Sequence, residues 1–264
     1  MLANEPLVSC LMVTLPIPDR WAGLKRSIAD YLRQTHGRRE LVIVADTRTK
    51  AGTTEAIKDH VTGLGRSDIR VVAPAAAASL GALRNVSLAE AKGDLVCIWD
   101  DDDMHHPERV SRQVVALAES DAEGLCLTHV MQFFPRERLL YCTNWRSTEA
   151  GGLPASLMCW RSAPIVYPEA GPIAEHGEDR VVLEQLQARG RFRVLEDAPH
   201  LYVYVSHGKN AYNDAHHRAL LGLAISRGLL RRSEAALREG LAAFDFGPDR
   251  VTVQGSNGPT FVIG

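Results

Sequence analysis

The segment LVCIWDDDD, residues 95–103, is a continuous apolar run that ends in four consecutive aspartates, Asp100 to Asp103. An apolar run without alternating polar residues is typical of a strand buried on both faces, as in parallel sheets. Carboxylates held this close raise each other's pKa unless a divalent cation compensates their charge. The segment therefore predicts a buried strand that ends at a Mg²⁺ or Mn²⁺ site, with a solvated acidic loop as the alternative.

The chain before this segment repeats one pattern. Apolar runs at residues 8–14, 40–46 and 69–72 predict three more strands, and apolar residues at helical spacing predict helices at 21–32, 53–64, 79–91 and 107–119. Strands that alternate with helices in this way predict a doubly wound α/β fold with a mostly parallel sheet. Ligands of such sheets bind outside the carboxyl ends of the strands. Thr14, Asp46 and the aspartates all fall at such ends.

The second half of the chain is less regular. It predicts a strand pair at 124–133 and 139–144, a short strand at 157–160, a helix at 177–189, strands at 194–195 and 201–205, helices at 214–226 and 233–244, and strands at 250–253 and 261–263. These elements predict a small antiparallel region beside the main sheet. Because no repeat or linker interrupts the chain, we predict a single domain over residues 1–264.

Composition excludes several classes of protein. The chain has 264 residues, a formal net charge of −2 and 45% hydrophobic residues, which argues against binding nucleic acid through an overall basic surface. The apolar run at residues 7–17 is shorter than the roughly 20 residues that cross a bilayer. The five cysteines form no CxxC pair and mostly lie in apolar runs. We therefore expect reduced core thiols in a cytoplasmic protein without a transmembrane segment.

Five motifs in a fixed order resemble one enzyme family. They are residues 8–14 ending in Thr14, Gln34-Thr35 before a strand ending in Asp46, Leu83-Arg84-Asn85 before Gly93-Asp94, Asp100 to Asp103 before Pro107-Glu-Arg109, and Gly177-Glu178-Asp179. Together, over about residues 8–190, they resemble family 2 glycosyltransferases of the A-type fold. The resemblance implies a nucleotide-binding half at about 1–120, an acceptor and catalytic half at about 121–212, and C-terminal helices and a strand at about 213–264.

The resemblance assigns the donor site. It implies a nucleotide-sugar donor with uracil as the base, and a Mn²⁺ or Mg²⁺ ion that bridges the two phosphates. Thr14 and Asp46 would line the base pocket, and Arg84 would lie against the nucleotide. Asp102 would bind the metal directly, and Asp100 or Asp101 would reach the ribose or the metal through water. The alternative interpretation is that Thr14 and Asp46 are simply turn and cap residues, and that Arg84 is a residue on a helix surface.

The resemblance also assigns catalysis to the pair Glu178 and Asp179. Asp179 is similar to the base that deprotonates the acceptor hydroxyl, so that the sugar is transferred with inversion at the anomeric carbon. The alternative is that both residues are acidic side chains at a helix N-terminus, where they favour the helix dipole.

Three further residues are candidates on weaker signals. In some A-type enzymes a histidine in the region of His207 completes the metal site, although a lone histidine is more often structural. Trp145 and Trp160 fall where the acceptor binds in the family, and sugar rings pack well on indoles; core packing is the alternative for each.

The C-terminal helices carry a basic side. It consists of Arg227, Arg231, Arg232 and Arg238. A solvated face is the default interpretation, and contact with an anionic membrane surface that carries a lipid-linked acceptor is the sharper one. Other acceptors that we consider are a glycan or another hydroxyl compound, in surface glycan or glycoconjugate biosynthesis at the inner face of the membrane.

Two departures from the family pattern touch the base pocket. The family has Asp-Gly-Ser where this chain has Asp46-Thr-Arg-Thr49, and the first loop, residues 15–19, is longer and holds two prolines. Two other functions stay open: a metal-dependent nucleotidyltransferase, and a non-catalytic nucleotide-sugar-binding module.

Overall fold

The computed structural model describes residues 5–48, 52–74, 76 and 78–264, so that Thr49 lies outside the described residues. Its first part alternates strands and helices as the sequence predicts. The elements are β1 (Val8–Thr14), α1 (Trp21–Leu32), β2 (Arg39–Ala45), α2 (Gly52–Gly63), β3 (Ile69–Val72), α3 (Leu80–Glu90), β4 (Leu95–Ile98), β5 (Met104–His105) and α4 (Arg109–Ala118). The two-residue strand β5, directly after the aspartates, was not predicted.

The second part contains strands and short helices. They are β6 (Gly124–Leu127), β7 (His129–Phe134), β8 (Leu139–Asn144), β9 (Met158–Trp160), α5 (Glu178–Ala188), β10 (Phe192–Leu195), β11 (Tyr202–Val205), α6 (Asp214–Ala219), α7 (Arg227–Arg232), α8 (Glu234–Leu241), β12 (Val251–Gly255) and β13 (Gly258–Ile263).

A seven-stranded sheet carries the site. Its strand order is β10-β6-β9-β4-β1-β2-β3, and β1 pairs in parallel with both β2 and β4. Among the pairings of this sheet, only those of β9 with its two neighbours, β4 and β6, are antiparallel. The carboxyl ends of β1, β2 and β4 therefore lie side by side. This adjacency brings Thr14, Asp46 and the aspartates to one edge, as predicted.

The antiparallel region is larger than predicted, because it forms a second sheet of six strands. Its order is β13-β12-β8-β7-β11-β5, and two of its pairings, β11 with β7 and β12 with β8, are parallel. The predicted strand at 124–133 is wrong as a single element. It divides at Thr128, whose backbone N–H donates to Leu195, so that β6 joins the first sheet and β7 the second.

The predicted helix at 214–226 is also wrong in its extent. Helix α6 ends at Ala219, a 3-10 turn follows over Leu220–Leu223, and Ala224 is extended. Ser226 then caps α7 by accepting a hydrogen bond from the Leu229 backbone. The backbone of Ile225 donates to Cys142 on β8, so a contact with the second sheet interrupts the helical pattern.

Both faces of the seven-stranded sheet are covered, which explains its continuous apolar strands. Cys10 and Met12 of β1 pack in the cluster that includes Ile28 of α1 and Val114 of α4. Leu11, between them, packs in the cluster on the opposite face with residues of α3 and α5. All five cysteines are buried and free, as expected. In the described part of the chain, no helix has the length and apolar character to cross a membrane.

Candidate active site

A cavity of about 730 Å³ opens at the carboxyl ends of β1, β2 and β4. The aspartates and Asp46 line one side, and the first turn of α5 lies across from them. Eight of the predicted site residues line it: Asp46, Arg84, Asp100, Asp101, Asp102, Trp145, Glu178 and Asp179. Thr14 and His207 reach the same place through hydrogen bonds to the aspartates.

The four aspartates form a folded loop with a separate environment for each carboxylate. Asp101 and Asp103 are each 1% exposed, so the alternative of a solvated acidic loop is wrong. Asp103 accepts hydrogen bonds from the Tyr202 hydroxyl and, at 2.8 Å, from the Val205 backbone N–H. Burial raises the pKa of Asp103 well above its usual value. Asp103 therefore fastens the loop to β11 of the second sheet.

Asp101 is held by two residues at the carboxyl end of β1. Thr14 Oγ1 donates to Asp101 Oδ2 at 2.5 Å, and Arg20 Nη2 donates to Oδ1 at 2.5 Å. Burial raises the pKa of Asp101 to about 6, against the charge of Arg20. Thr14 therefore contacts the aspartate loop directly, and the sequence did not single out Arg20. The sequence signal that could have indicated Arg20 is a basic residue directly after the first loop, residues 15–19.

The Asp102 carboxylate lies beside His207 and Arg20. His207 Nε2 lies 3.0 Å from Asp102 Oδ2, and Arg20 Nη2 lies 2.9 Å from the same oxygen. Burial opposes ionisation, but the hydrogen bond with His207 and the charge of Arg20 hold the pKa of Asp102 below its usual value. Carboxylate oxygens suit Mn²⁺ or Mg²⁺, which keep positions for phosphate oxygens.

The metal site is not complete from side chains alone. Within residues 5–48, 52–74, 76 and 78–264, no group of three or more His, Cys, Asp and Glu side chains is placed to hold a metal ion. Asp102 and His207 are the pair that fits, and the Asp100 carboxylate lies nearer to Arg84, at 3.4 Å from its Nη2. The remaining ligands would be oxygens of the donor and of water.

Asp46 is engaged by the residue that departs from the family pattern. Arg48 binds its carboxylate with two nitrogens, Nε at 2.9 Å and Nη2 at 2.7 Å from Oδ2, and its Nη1 lies 3.0 Å from Glu175 Oε1. Asp46 is 3% exposed. The guanidinium beside this carboxylate places both a hydrogen-bond donor and a hydrogen-bond acceptor at the end of the cavity where the family resemblance predicts the nucleobase.

The opposite wall consists of Arg84 and the first turn of α5. Arg84 is buried and donates from Nε to Glu178 Oε1 at 2.8 Å, so the alternative of a surface residue is wrong. Gly177, with φ +90°, precedes α5, and both Glu178 and Asp179 line the cavity, with Glu178 only 3% exposed beside Arg84. Burial, and next the charge of Glu178, raise the pKa of Asp179 to about 6. Asp179 is thus suited to accept a proton near neutral pH.

The two tryptophans have different surroundings. Trp145 lines the cavity and donates to Thr143 Oγ1 at 3.1 Å. Trp160 lies in β9, opposite Leu95 of β4, and packs against the first core cluster. The expectation that Trp160 belongs to a sugar pocket is therefore corrected, because its ring is committed to the core. The sequence did not single out the other aromatic residues of the cavity wall, which are His176, Tyr204, Tyr212 and His216.

Some arginines on the basic side of the C-terminal helices form ion pairs or hydrogen bonds, and others are exposed. Arg238 pairs with Glu234 and donates to the Val262 carbonyl, at 2.8 Å in each case. Arg231 and Arg232 are exposed at the end of α7. The membrane interpretation of this face stays a prediction.

The fold is that of A-type glycosyltransferases, as similarity to solved structures shows. The structure of S. aureus TarS 1-349 in complex with UDP-GlcNAc matches with a TM-score of 0.60 and 16% identity, over 90% of this chain and 71% of that one. A mannosyltransferase from Pyrobaculum calidifontis, PcManGT, in complex with GDP-Man and Mn²⁺ matches with a TM-score of 0.59 and 16% identity, over 91% of this chain and 69% of that one. The predicted fold class is therefore confirmed.

The chain belongs to glycosyl transferase family 2, whose pattern matches residues 13–151, just over half of it. An uncharacterized glycosyltransferase of Methanocaldococcus jannaschii is 31% identical over 112 residues, which are 42% of this chain and 37% of that protein. The chain thus matches less than two fifths of that relative's length. The predicted family and enzyme class, a glycosyltransferase, are confirmed.

Proposed function

We propose that this chain transfers a sugar from a nucleoside diphosphate sugar, with UDP-sugars as the first candidates, to an acceptor hydroxyl, with inversion and with a divalent metal. The observation that carries the proposal is one cavity that is lined by Asp46, by the aspartate loop and by Asp179. The solved neighbours in complex with UDP, with UDP-GlcNAc, or with GDP-Man and Mn²⁺ support a donor of this class.

In the proposed reaction the acceptor oxygen forms a bond to the anomeric carbon as the bond from that carbon to the diphosphate oxygen breaks. Asp179 takes the proton of the acceptor hydroxyl, and the nucleoside diphosphate leaves with the bonding electrons. A metal ion, when bound by Asp102 and His207, would neutralise charge on the leaving diphosphate. Arg84 would keep Asp100 and Glu178 in place on the two sides of the reacting atoms.

The proposal also includes the cellular compartment of the protein and the type of acceptor. Five free, buried cysteines support a reducing, cytoplasmic setting. Exposed Arg231 and Arg232 support contact with an anionic membrane face, where a lipid-linked hydroxyl acceptor would be available.

The test is product analysis with UDP- and GDP-sugars and Mn²⁺. We expect release of nucleoside diphosphate from one donor, slow with water as acceptor and faster with a hydroxyl acceptor. In Asp179→Asn, nucleotide binding should persist while transfer falls by about 10²- to 10⁴-fold. Glu184→Gln, an exposed carboxylate on the same helix that pairs with Arg180, is the matched control and should be active.

Three outcomes would contradict the proposal. Release of pyrophosphate would indicate nucleotidyl transfer instead. Donor binding without turnover in any metal would indicate a binding module. Full activity of the Asp179 variant would place the base elsewhere.

A further inference from the structure

Arg20 lies beside two carboxylates of the aspartate loop, one of which, Asp102, is the proposed metal ligand. It ends the short 3-10 turn Pro18–Arg20 between β1 and α1, and its side chain is only 16% exposed. A single nitrogen, Nη2, lies 2.5 Å from Asp101 Oδ1 and 2.9 Å from Asp102 Oδ2. The guanidinium therefore joins two neighbouring carboxylates of the aspartate loop.

The contact falls on Oδ2 of the carboxylate that we propose as the metal ligand. Asp102 Oδ2 also has His207 Nε2 at 3.0 Å, and Asn210 Nδ2 at 3.5 Å. Because this oxygen already has three nitrogen neighbours, a cation can bind it only if at least one of them withdraws. Of the three, Arg20 carries a permanent positive charge, which a divalent ion would oppose directly.

Arg20 keeps a second attachment when it leaves Asp102. Asp101 is buried and holds Arg20 from Oδ1 while Thr14 occupies its other oxygen. The backbone carbonyl of Asp102 is held separately by Arg26 at 2.7 Å. Arg20 also lines the cavity, so a guanidinium that leaves Asp102 would have both Asp101 and the cavity beside it.

We propose that Arg20 is a resident counter-ion of the aspartate loop that a divalent cation displaces from Asp102, and that the displaced guanidinium then binds the diphosphate of the nucleotide. The proposal rests on the proposed function. It predicts that the cation binds weakly alone and tightly with the nucleoside diphosphate, since the diphosphate gives the displaced guanidinium a new partner. By linkage the cation strengthens nucleotide binding by the same factor.

The test measures Mn²⁺ binding by calorimetry or by electron paramagnetic resonance, with and without UDP, and with GDP in parallel. Arg20→Gln should bind Mn²⁺ alone about tenfold more tightly than the unmodified protein and should lose most of the coupling between Mn²⁺ and nucleotide. Arg20→Lys keeps the charge and should bind Mn²⁺ alone nearly as weakly as the unmodified protein. Lys25→Gln removes an equal charge from the exposed face of α1 and should change neither quantity.

The outcomes separate this proposal from the proposed function. Unchanged or weaker Mn²⁺ binding by Arg20→Gln, with the coupling intact, overturns the role of Arg20 and leaves sugar transfer untouched. Coupling lost equally in Lys25→Gln overturns it as well, because a general charge effect would then explain the result. Should Arg20→Gln fail to fold, Arg20→Lys decides, since tight binding of Mn²⁺ alone by that variant contradicts the proposal. Absence of Mn²⁺ binding in every protein overturns both proposals.

Discussion

Arg84 Nε donates to Glu178 Oε1 at 2.8 Å, and both residues are buried. The partners are 94 positions apart in the chain. Because the other end of the guanidinium lies 3.4 Å from Asp100, this ion pair ties the aspartate loop to the first turn of α5. Arg84 thus links the loop that holds the proposed metal ligand to the helix turn that holds the proposed catalytic base. Both carboxylates of this turn line the cavity, and of the two Glu178 pairs with Arg84.

The raised pKa of Asp179 predicts the pH dependence of transfer. A base acts only when ionised, so the rate should rise with pH through about 6 and reach a plateau above it. Below that value it should fall about tenfold per pH unit. Turnover under donor saturation, followed from acid to neutral pH, measures this. A rate that stays constant well below pH 6 would contradict the assignment of Asp179.

Glu178→Gln should move that profile to lower pH. The charge of Glu178 raises the pKa of Asp179, and its removal also leaves the positive charge of Arg84 uncompensated, which acts in the same direction. The acid limb of the pH-rate profile should therefore shift downward, while Glu184→Gln should leave it in place. A shift to higher pH would show that Glu178 does not act through its charge on Asp179.

We expect Asp102→Ala to weaken ligand binding, whereas Asp103→Ala should lower the stability of the fold. Asp102→Ala leaves Arg20 paired with Asp101 and should fold, but it should lose the stabilisation by UDP with Mn²⁺, which is about 2.7 kcal/mol at 100 times Kd. Asp103→Ala leaves the Tyr202 hydroxyl and the Val205 N–H without their acceptor and should lower the free energy of unfolding by about 2 to 4 kcal/mol. Thermal and chemical unfolding measure both. The reverse pattern would show that the two carboxylates are misassigned.

Gly81→Ala should destabilise the protein although alanine favours helices. A Cβ at Gly81 in α3 would lie 1.9 Å from the backbone oxygen of Pro168, so either the helix or that segment must shift. We expect a loss of about 2 kcal/mol or more in the free energy of unfolding. Gly63→Ala, at the end of α2 with nothing within 4 Å, is the control and should be neutral or stabilising by up to about 1 kcal/mol. Equal effects of both would contradict this packing.

The sequence predicted the first half of the fold well and the second half less well. Continuous apolar runs such as residues 95–98 identify strands buried on both faces, since the pattern is a local consequence of burial. The division of residues 124–133 between two sheets has no such local cause. It depends on Thr128 meeting Leu195, a contact 67 positions distant. The prediction for Trp160 was corrected for the same reason. The local sequence around an aromatic residue near a predicted site does not distinguish a ring that packs in the core from a ring that lines the cavity.

By itself the sequence determined that Thr14, Asp46 and the aspartates follow predicted strands at their carboxyl ends, because alternating strands and helices predict a parallel sheet. The order of the strands, with β4 beside β1, came from the tertiary structure. The tertiary structure decided what each carboxylate does. Asp103 joins the second sheet, Asp101 and Asp102 share Arg20, and Asp46 pairs with Arg48. Adjacent residues of a loop point in directions set by distant partners, and the environment of a carboxylate follows from those partners and from burial.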